Sequence, residues 1–162
     1  MHLKNEGVRH DLIDAVFALG DDDLVRVLAR VEALGAFLES DDGTNLLTAY
    51  KRAANIVRIE EKRDNKKYQE VKVSLFESEE TDLWENLHAV QDSLKVSLPN
   101  EIFLESMAAL AQLRPSIDAF FDNVTVNSKD KKLRANRLAL LRSIMVVMNQ
   151  VADFSRIEGG GH

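Results

Sequence analysis

The groups from which this chain could build a catalytic or metal centre are four histidines and 27 carboxylates; cysteine is absent. His2 and His162 are terminal. His10-Asp11 matches the ligand doublet of metal phosphohydrolases, but such a site needs several more histidines and aspartates at helical positions. One pair alone reads as a helix-start aspartate beside an exposed histidine. Glu85-Asn86-Leu87-His88 has the Glu-x-x-His spacing of di-iron bundles, which need that motif twice plus two further glutamates. It occurs once, so it reads as ordinary helix surface. There is no glycine-rich phosphate loop after a strand and no Gly-x-Ser-x-Gly elbow. The lack of cysteine removes disulfides, thiolate metal sites and cysteine nucleophiles together, and fits a reducing cytosol. No catalytic residue, metal site or cofactor site is expected.

The cations are more informative. Lys51, Asn55, Arg58 and Lys62 follow one another at intervals of four, three and four residues. On a helix that spacing places them on one face, away from the apolar stripe between Leu47 and Val57. A row of cations with an interposed amide suits a phosphate backbone, the amide reaching a base edge or a sugar. Arg52, beside Lys51, is a further candidate contact. A second block, Lys129, Lys131, Lys132, Arg134 and Arg137, surrounds the start of the last helix. Cations are unfavourable there because the helix N-terminus is itself positive. A polyanion must offset the cost, or else buried pairing with acids such as Asp118 and Asp122. Structural pairing is expected for one of Arg134 and Arg137, while Lys129, Lys131 and Lys132 are the freer groups. Tyr50, Tyr68, Phe76 and Trp84 are candidates to stack on single-stranded bases, Tyr50 and Trp84 serving the core equally well.

The net charge of −6 taken alone argues against nucleic acid, but its distribution does not. Residues 1–50 carry −6 and 76–125 carry −8, whereas 51–75 and 126–162 each carry +4. Local rather than net charge governs phosphate binding.

Helices must position these groups, since nearly every long segment repeats at the helical period. Leu12, Ile13, Val16 and Leu19 form a stripe between Val8 and Leu19, with Gly20 as its C-terminal cap. Asp21, Asp22 and Asp23 supply the next N-cap and acidic first turn. The second helix runs to about Ser40 on Leu24, Val27, Leu28, Val31, Leu34 and Leu38. Asp41-Asp42-Gly43 is predicted as a turn, and a long helix covers Thr44 to Asp64. Residues 65–75 read as a loop with at most a short extended piece. A helix begins near Ser78 on the stripe Leu83, Leu87, Val90 and Leu94. Pro99 is placed as a helix start, and Pro115 should split the apolar run Ile102 to Val124 near Leu113. The last helix spans about Lys131 to Phe154. The prediction is an all-α bundle of six or seven helices. No apolar run approaches the ~20 residues that cross a membrane.

Four segments carry a family resemblance. They are 41–47 with 50–56 (Asp-Asp-Gly-Thr-Asn-Leu-Leu, Tyr-Lys-Arg-Ala-Ala-Asn-Ile), 115–124, 133–141 and 151–155, with 8–15 fitting just upstream. In order and spacing they resemble the C-terminal end of the β subunit of bacterial heterotetrameric glycyl-tRNA synthetases, over about residues 7–157. The resemblance implies the helical anticodon-binding domain named for an Asp-Ala-Leu-Arg motif, matched here by Asp130-Lys131-Lys132-Leu133-Arg134. Lys132 departs from that motif, while the hydrophobic and arginine anchors remain. Within that domain the two basic blocks are read as the tRNA contacts: Lys51, Arg52, Asn55, Arg58, Lys62, Lys129, Lys131, Arg134 and Arg137. Its implied partners are glycine tRNA, the remainder of the β subunit and an α subunit in an α2β2 assembly in the cytoplasm. ATP and Mg belong to the catalytic core on that α subunit. The expected organisation is a helical hairpin at 1–42 leading in from the rest of the β subunit, the anticodon-binding bundle at 43–157, and a tail or expression scar at 158–162. The alternative is a helical docking module for subunit assembly with no RNA contact.

Overall fold

The computed structural model describes residues 10–20 and 23–158. Val8 and Arg9 of the 8–15 segment, Asp21 and Asp22 of the second cap, and the glycine tail lie outside them. Among the described residues there are seven α-helices and no strand, so the molecule is the all-α bundle that the periodicity predicts. They are α1 (His10–Phe17), α2 (Leu24–Glu39), α3 (Asp41–Asp64), α4 (Ser78–Ser97), α5 (Phe103–Ala111), α6 (Leu113–Asn123) and α7 (Lys131–Met148). Short 3-10 turns stand at Val73–Leu75 and Phe154–Arg156.

Helix α3 runs through the middle and packs against α2, α5, α6 and α7. Its buried row, Leu46, Leu47, Tyr50, Ala53 and Val57, meets Ile144, Val147 and Met148 of α7 in one continuous core. Each large aliphatic side chain taken wholly out of water contributes about 1.5–3 kcal/mol. Phe120 and Phe154 are fully buried in the same core, and the Phe154 ring lies 5.6 Å from that of Tyr50. Helices α1 and α2 pack against one another, and α1 also touches the turn at Phe154–Arg156.

Local chemistry sets the boundaries. Asp23 caps α2 by accepting from the Arg26 N–H, and Gly20 closes α1 at φ 86°, a conformation that favours glycine. Asp41-Asp42-Gly43 is not the predicted turn but the first turn of α3. Ser40 alone makes the corner, accepting from the Gly43 N–H at 3.0 Å, and Asp41 and Asp42 favour the helix dipole. Gly43 is required by proximity: a Cβ there would lie 1.8 Å from the Phe37 carbonyl oxygen. The run from Ile102 splits as expected, with Gln112 between α5 and α6 and Pro115 in the first turn of α6, where an N–H is not needed. Pro99 does not begin a helix; it follows the end of α4, and α5 starts at Phe103. Helix α7 ends at Met148 rather than Phe154. Asn149 accepts from the Phe154 N–H and donates to the Tyr50 hydroxyl, so the chain folds back and buries Phe154. The segment 65–75 contains the 3-10 turn in place of an extended piece. Leu19 and Leu24, expected in apolar stripes, are exposed at the α1–α2 corner.

Candidate nucleic-acid interface

Helices α3 and α7 lie antiparallel: Asp64 pairs with Arg134 at one end and Tyr50 bonds Asn149 at the other. The C-terminus of α3 therefore stands beside the N-terminus of α7, and the polar chain 65–75 crosses between them. That crossing is pinned twice. The Tyr68 N–H donates to Glu61 at 2.8 Å, and buried Asn136 of α7 exchanges two hydrogen bonds with the backbone of Lys72, at 2.5 and 3.0 Å. Asn136 acts as a neighbouring strand would, satisfying both backbone groups of one residue.

The two positive blocks, far apart in sequence, consequently meet. Lys66, Lys67 and Lys72 from the crossing face Lys131 and Lys132 from α7 around one groove of about 380 Å³. Lys66 sits 5.4 Å over the Tyr68 ring, a cation–π contact. Among the described residues, none of these five ammonium groups is within ion-pair distance of a carboxylate. Asp130 partly offsets the unfavourable cations at the α7 start by capping the Lys132 and Leu133 N–H groups. Lys129 is exposed just before that cap.

The arginines are disposed differently. Arg137, expected to face RNA, is 7% exposed and ion-paired at 3.1 Å with Glu80, whose side chain is 0% exposed. It also donates to the Thr125 carbonyl at 2.7 Å. Arg134, likewise expected at the interface, is 14% exposed and ion-paired with Asp64 at 2.6 Å and Glu60 at 3.4 Å. The Tyr68 hydroxyl accepts from Arg134 and donates to Asp64. A planar guanidinium fork matches carboxylates, and these two hold α7 to α3 and α4. Structural pairing, expected for one of them, holds for both. Their acids are Glu60, Asp64 and Glu80, while Asp118 pairs instead with Arg114 of its own helix. Arg134 is the arginine of the Asp130–Arg134 stretch, so that stretch acts here as a helix cap and an interhelix clamp.

These pairs shift the acids. Hydrogen bonds from Tyr68 and Arg134 hold the Asp64 carboxyl below its ordinary range. Burial pushes Glu61 up, but hydrogen bonds from Arg142 and the Tyr68 N–H, with the charges of Arg142 and Lys67, outweigh it and leave Glu61 lowered. Burial together with the Asp64 bond raises the Tyr68 hydroxyl.

On α3, Arg58 donates to Asn55 at 2.6 Å, which orients both members of the predicted row. Asn55, Arg58 and Lys62 are exposed and Lys51 is half-buried. Arg52 is exposed but sits 4.2 Å over the Phe121 ring, on the α6 side of α3. Of the aromatic candidates, Tyr50 and Tyr68 are buried, while Phe76 and Trp84 are half-buried against each other. Helical spacing does not single out Lys66, Lys67, Lys72 or Lys132 as contacts, because three of them lie on irregular chain. The local excess of positive charge in 51–75, and in 126–162 for Lys132, is the signal that points to them.

Among the described residues no cluster of three or more histidines or carboxylates could hold a metal. No helix there is long and apolar enough to cross a membrane. What fold and site define is a helical module with a lysine-lined groove between the 65–75 crossing and the start of α7. The chain belongs to the DALR anticodon binding domain family, whose model matches residues 46–157. It is 55% identical over 161 residues to a glycine–tRNA ligase beta subunit of Rhodospirillum centenum, and 49% identical over 158 residues to that of Phenylobacterium zucineum. A third relative of the same description, from Cereibacter sphaeroides, is 44% identical over 163 residues. These alignments take in 97%, 97% and 98% of this chain but 22%, 24% and 23% of the relatives, so the chain spans about a quarter of their length.

Proposed function

We propose that this chain is the anticodon-recognition domain of a glycine–tRNA ligase beta subunit, and that it holds glycine tRNA while a separate α subunit carries out the ATP-dependent glycylation. The lysine groove is the observation that carries the reading: five cations from two distant segments stand unpaired around one opening in an otherwise acidic molecule. Gathering like charges costs the fold some stability, and a bound polyanion offsets it. In this reading Lys51, Arg58 and Lys62, spaced along one face of α3 with Asn55 among them, and Lys129, exposed just before the α7 cap, add further phosphate contacts. Phosphates of the anticodon stem lie on these groups, and unpaired loop bases meet amide and aromatic side chains. A docking module without RNA contact leaves the groove without a purpose.

The test is binding of glycine tRNA, measured by gel shift at two salt concentrations, with Lys51→Ala, Arg58→Ala and Lys131→Ala and with an anticodon-altered tRNA. Each variant weakens binding and lowers the salt slope by about one, as expected when a single phosphate is no longer neutralised. Neutralising five phosphates, at a slope of about 0.7 each on a single strand to about 0.9 on a duplex, predicts roughly 100- to 500-fold weaker affinity at 200 mM salt than at about 50 mM. Equal binding by all three variants removes the proposed surface.

A further inference from the structure

The exposed face of α7 does not end at the lysines. About two to four turns further on, Ala139, Arg142, Ser143 and Val146 line a second opening of about 290 Å³, closed on its other side by Trp84, His88 and Gln91 of α4. Gln69, from the pinned crossing, borders both this pocket and the lysine groove. Lys132 and Ala139 are seven residues apart on α7, about 10 Å along the helix axis. A strand whose phosphates lie among the lysines therefore brings a neighbouring base to this pocket.

The lining has the composition of a base site rather than of a packing defect. Trp84 and His88 form an aromatic corner, with ring centroids 4.4 Å apart and planes at 63°. The apolar floor includes Leu87 and Val147, and Val146 at the rim is 55% exposed. Around this stand polar groups with spare capacity. Among the described residues, the side-chain amides of Gln69 and Gln91 have no hydrogen-bond partner. Arg142 is ion-paired with Glu61 through one nitrogen, and its Nε is buried with no acceptor. His88 Nδ1 lies 2.9 Å from the Trp84 carbonyl oxygen, which can only accept. Nδ1 therefore carries a proton and donates to that oxygen, which leaves Nε2 unengaged. Donors and acceptors over an aromatic wall match the edge and face of a nucleobase. The volume lies at the lower end for small-molecule sites and suits a single planar ring system.

We propose that this pocket takes one unstacked base of the bound RNA loop, with Trp84 as the stacking surface and Gln69 and Gln91 as the groups that read the base edge. The inference rests on the RNA-binding reading above and assigns base discrimination to α4, whose Trp84 is among the aromatic side chains that the sequence offers for stacking.

Trp84 is the only tryptophan of the chain, so its emission reports on this pocket alone. The probe is a synthetic hairpin carrying the anticodon stem and loop of a glycine tRNA, compared with hairpins made abasic at each loop position in turn. The intact hairpin quenches Trp84. One abasic hairpin fails to quench and binds more weakly by roughly 5- to 150-fold, the range for removal of one stacked base. Gln91→Ala, a half-buried surface change that leaves the core intact, weakens the intact hairpin but not that particular abasic one. Lys131→Ala with Lys132→Ala weakens all hairpins alike and lowers the salt slope. Binding that is lysine- and salt-dependent, with unchanged Trp84 emission and no effect of Gln91→Ala, overturns the base pocket and leaves the RNA-binding reading standing. No binding of any hairpin overturns both.

Discussion

Replacing Arg137 with methionine removes one member of the most deeply buried ion pair that the structure describes while keeping most of the side chain's volume. Glu80 keeps the Glu77 N–H at 2.7 Å, which completes the capping box of α4, but is left without its only cation. Breaking a buried pair from one side costs about 3–5 kcal/mol, because the remaining charge stays out of water. The Thr125 carbonyl is also deprived of its donor, though Thr125 is exposed and water can replace it, so about 4 kcal/mol is expected in total. With a urea m-value of about 2 kcal/mol/M, the unfolding midpoint falls by about 2 M. Glu80→Gln keeps an acceptor for the Glu77 N–H and drops the charge. The double variant should therefore be destabilised much less than the sum of the singles, a coupling of about 0.5–3 kcal/mol in a double-mutant cycle. Tyr68, Trp84 and far-ultraviolet circular dichroism give independent probes of the same transition. In the absence of urea, folded R137M binds tRNA within about two-fold of the unaltered protein, since a phosphate cannot reach a buried guanidinium. A midpoint shift under about 0.5 M, strict additivity, or a ten-fold drop in tRNA affinity with stability intact would refute the assignment of Arg137 to the fold.

Asn136→Ala leaves every lysine in place but unpins the crossing at Lys72. It should raise amide exchange between residues 66 and 75 and weaken tRNA binding several-fold, with the salt slope almost unchanged; protected amides there would sink the positioning role. Gly43→Ala drives a Cβ into the Phe37 carbonyl and costs about 1–3 kcal/mol or more, read from thermal melting, because the α2–α3 corner has backbone on both sides. Alanine at Lys66, Lys67, Lys72 or Lys132 changes stability by no more than about 0.5 kcal/mol, in contrast to alanine at Arg134. Asp64 and Glu61 titrate below their unfolded values, so the stability they contribute is complete above about pH 4–5 and disappears as pH falls through and below that range. Asp64→Asn and Glu61→Gln should therefore flatten the acid limb of a stability-against-pH curve, and an unchanged limb contradicts the sign.

Periodicity and caps are enough to read the helices, because a stripe such as Leu83, Leu87, Val90 and Leu94 has one helical arrangement that buries it. Pro115 announces its own break for an equally local reason: the missing N–H and the ring act within one turn. Where long-range packing decides, local signals mislead. Asp41-Asp42-Gly43 has turn composition, yet Gly43 is there because α2 approaches α3 too closely for a Cβ. Asn149 ends α7 through bonds to Tyr50 and Phe154, which no window of sequence connects. The two positive blocks are visible as charge, but residue types say nothing about which cations the fold itself will use. That division comes from the packing of α7 on α3 and α4. It sets Arg134 opposite Glu60 and Asp64 of α3 and Arg137 opposite the buried Glu80 of α4, where a planar guanidinium fork is matched by carboxylates. It leaves the hydrated ammonium groups of Lys66, Lys67, Lys72, Lys131 and Lys132 outside, around a groove that exists only once α7 has docked.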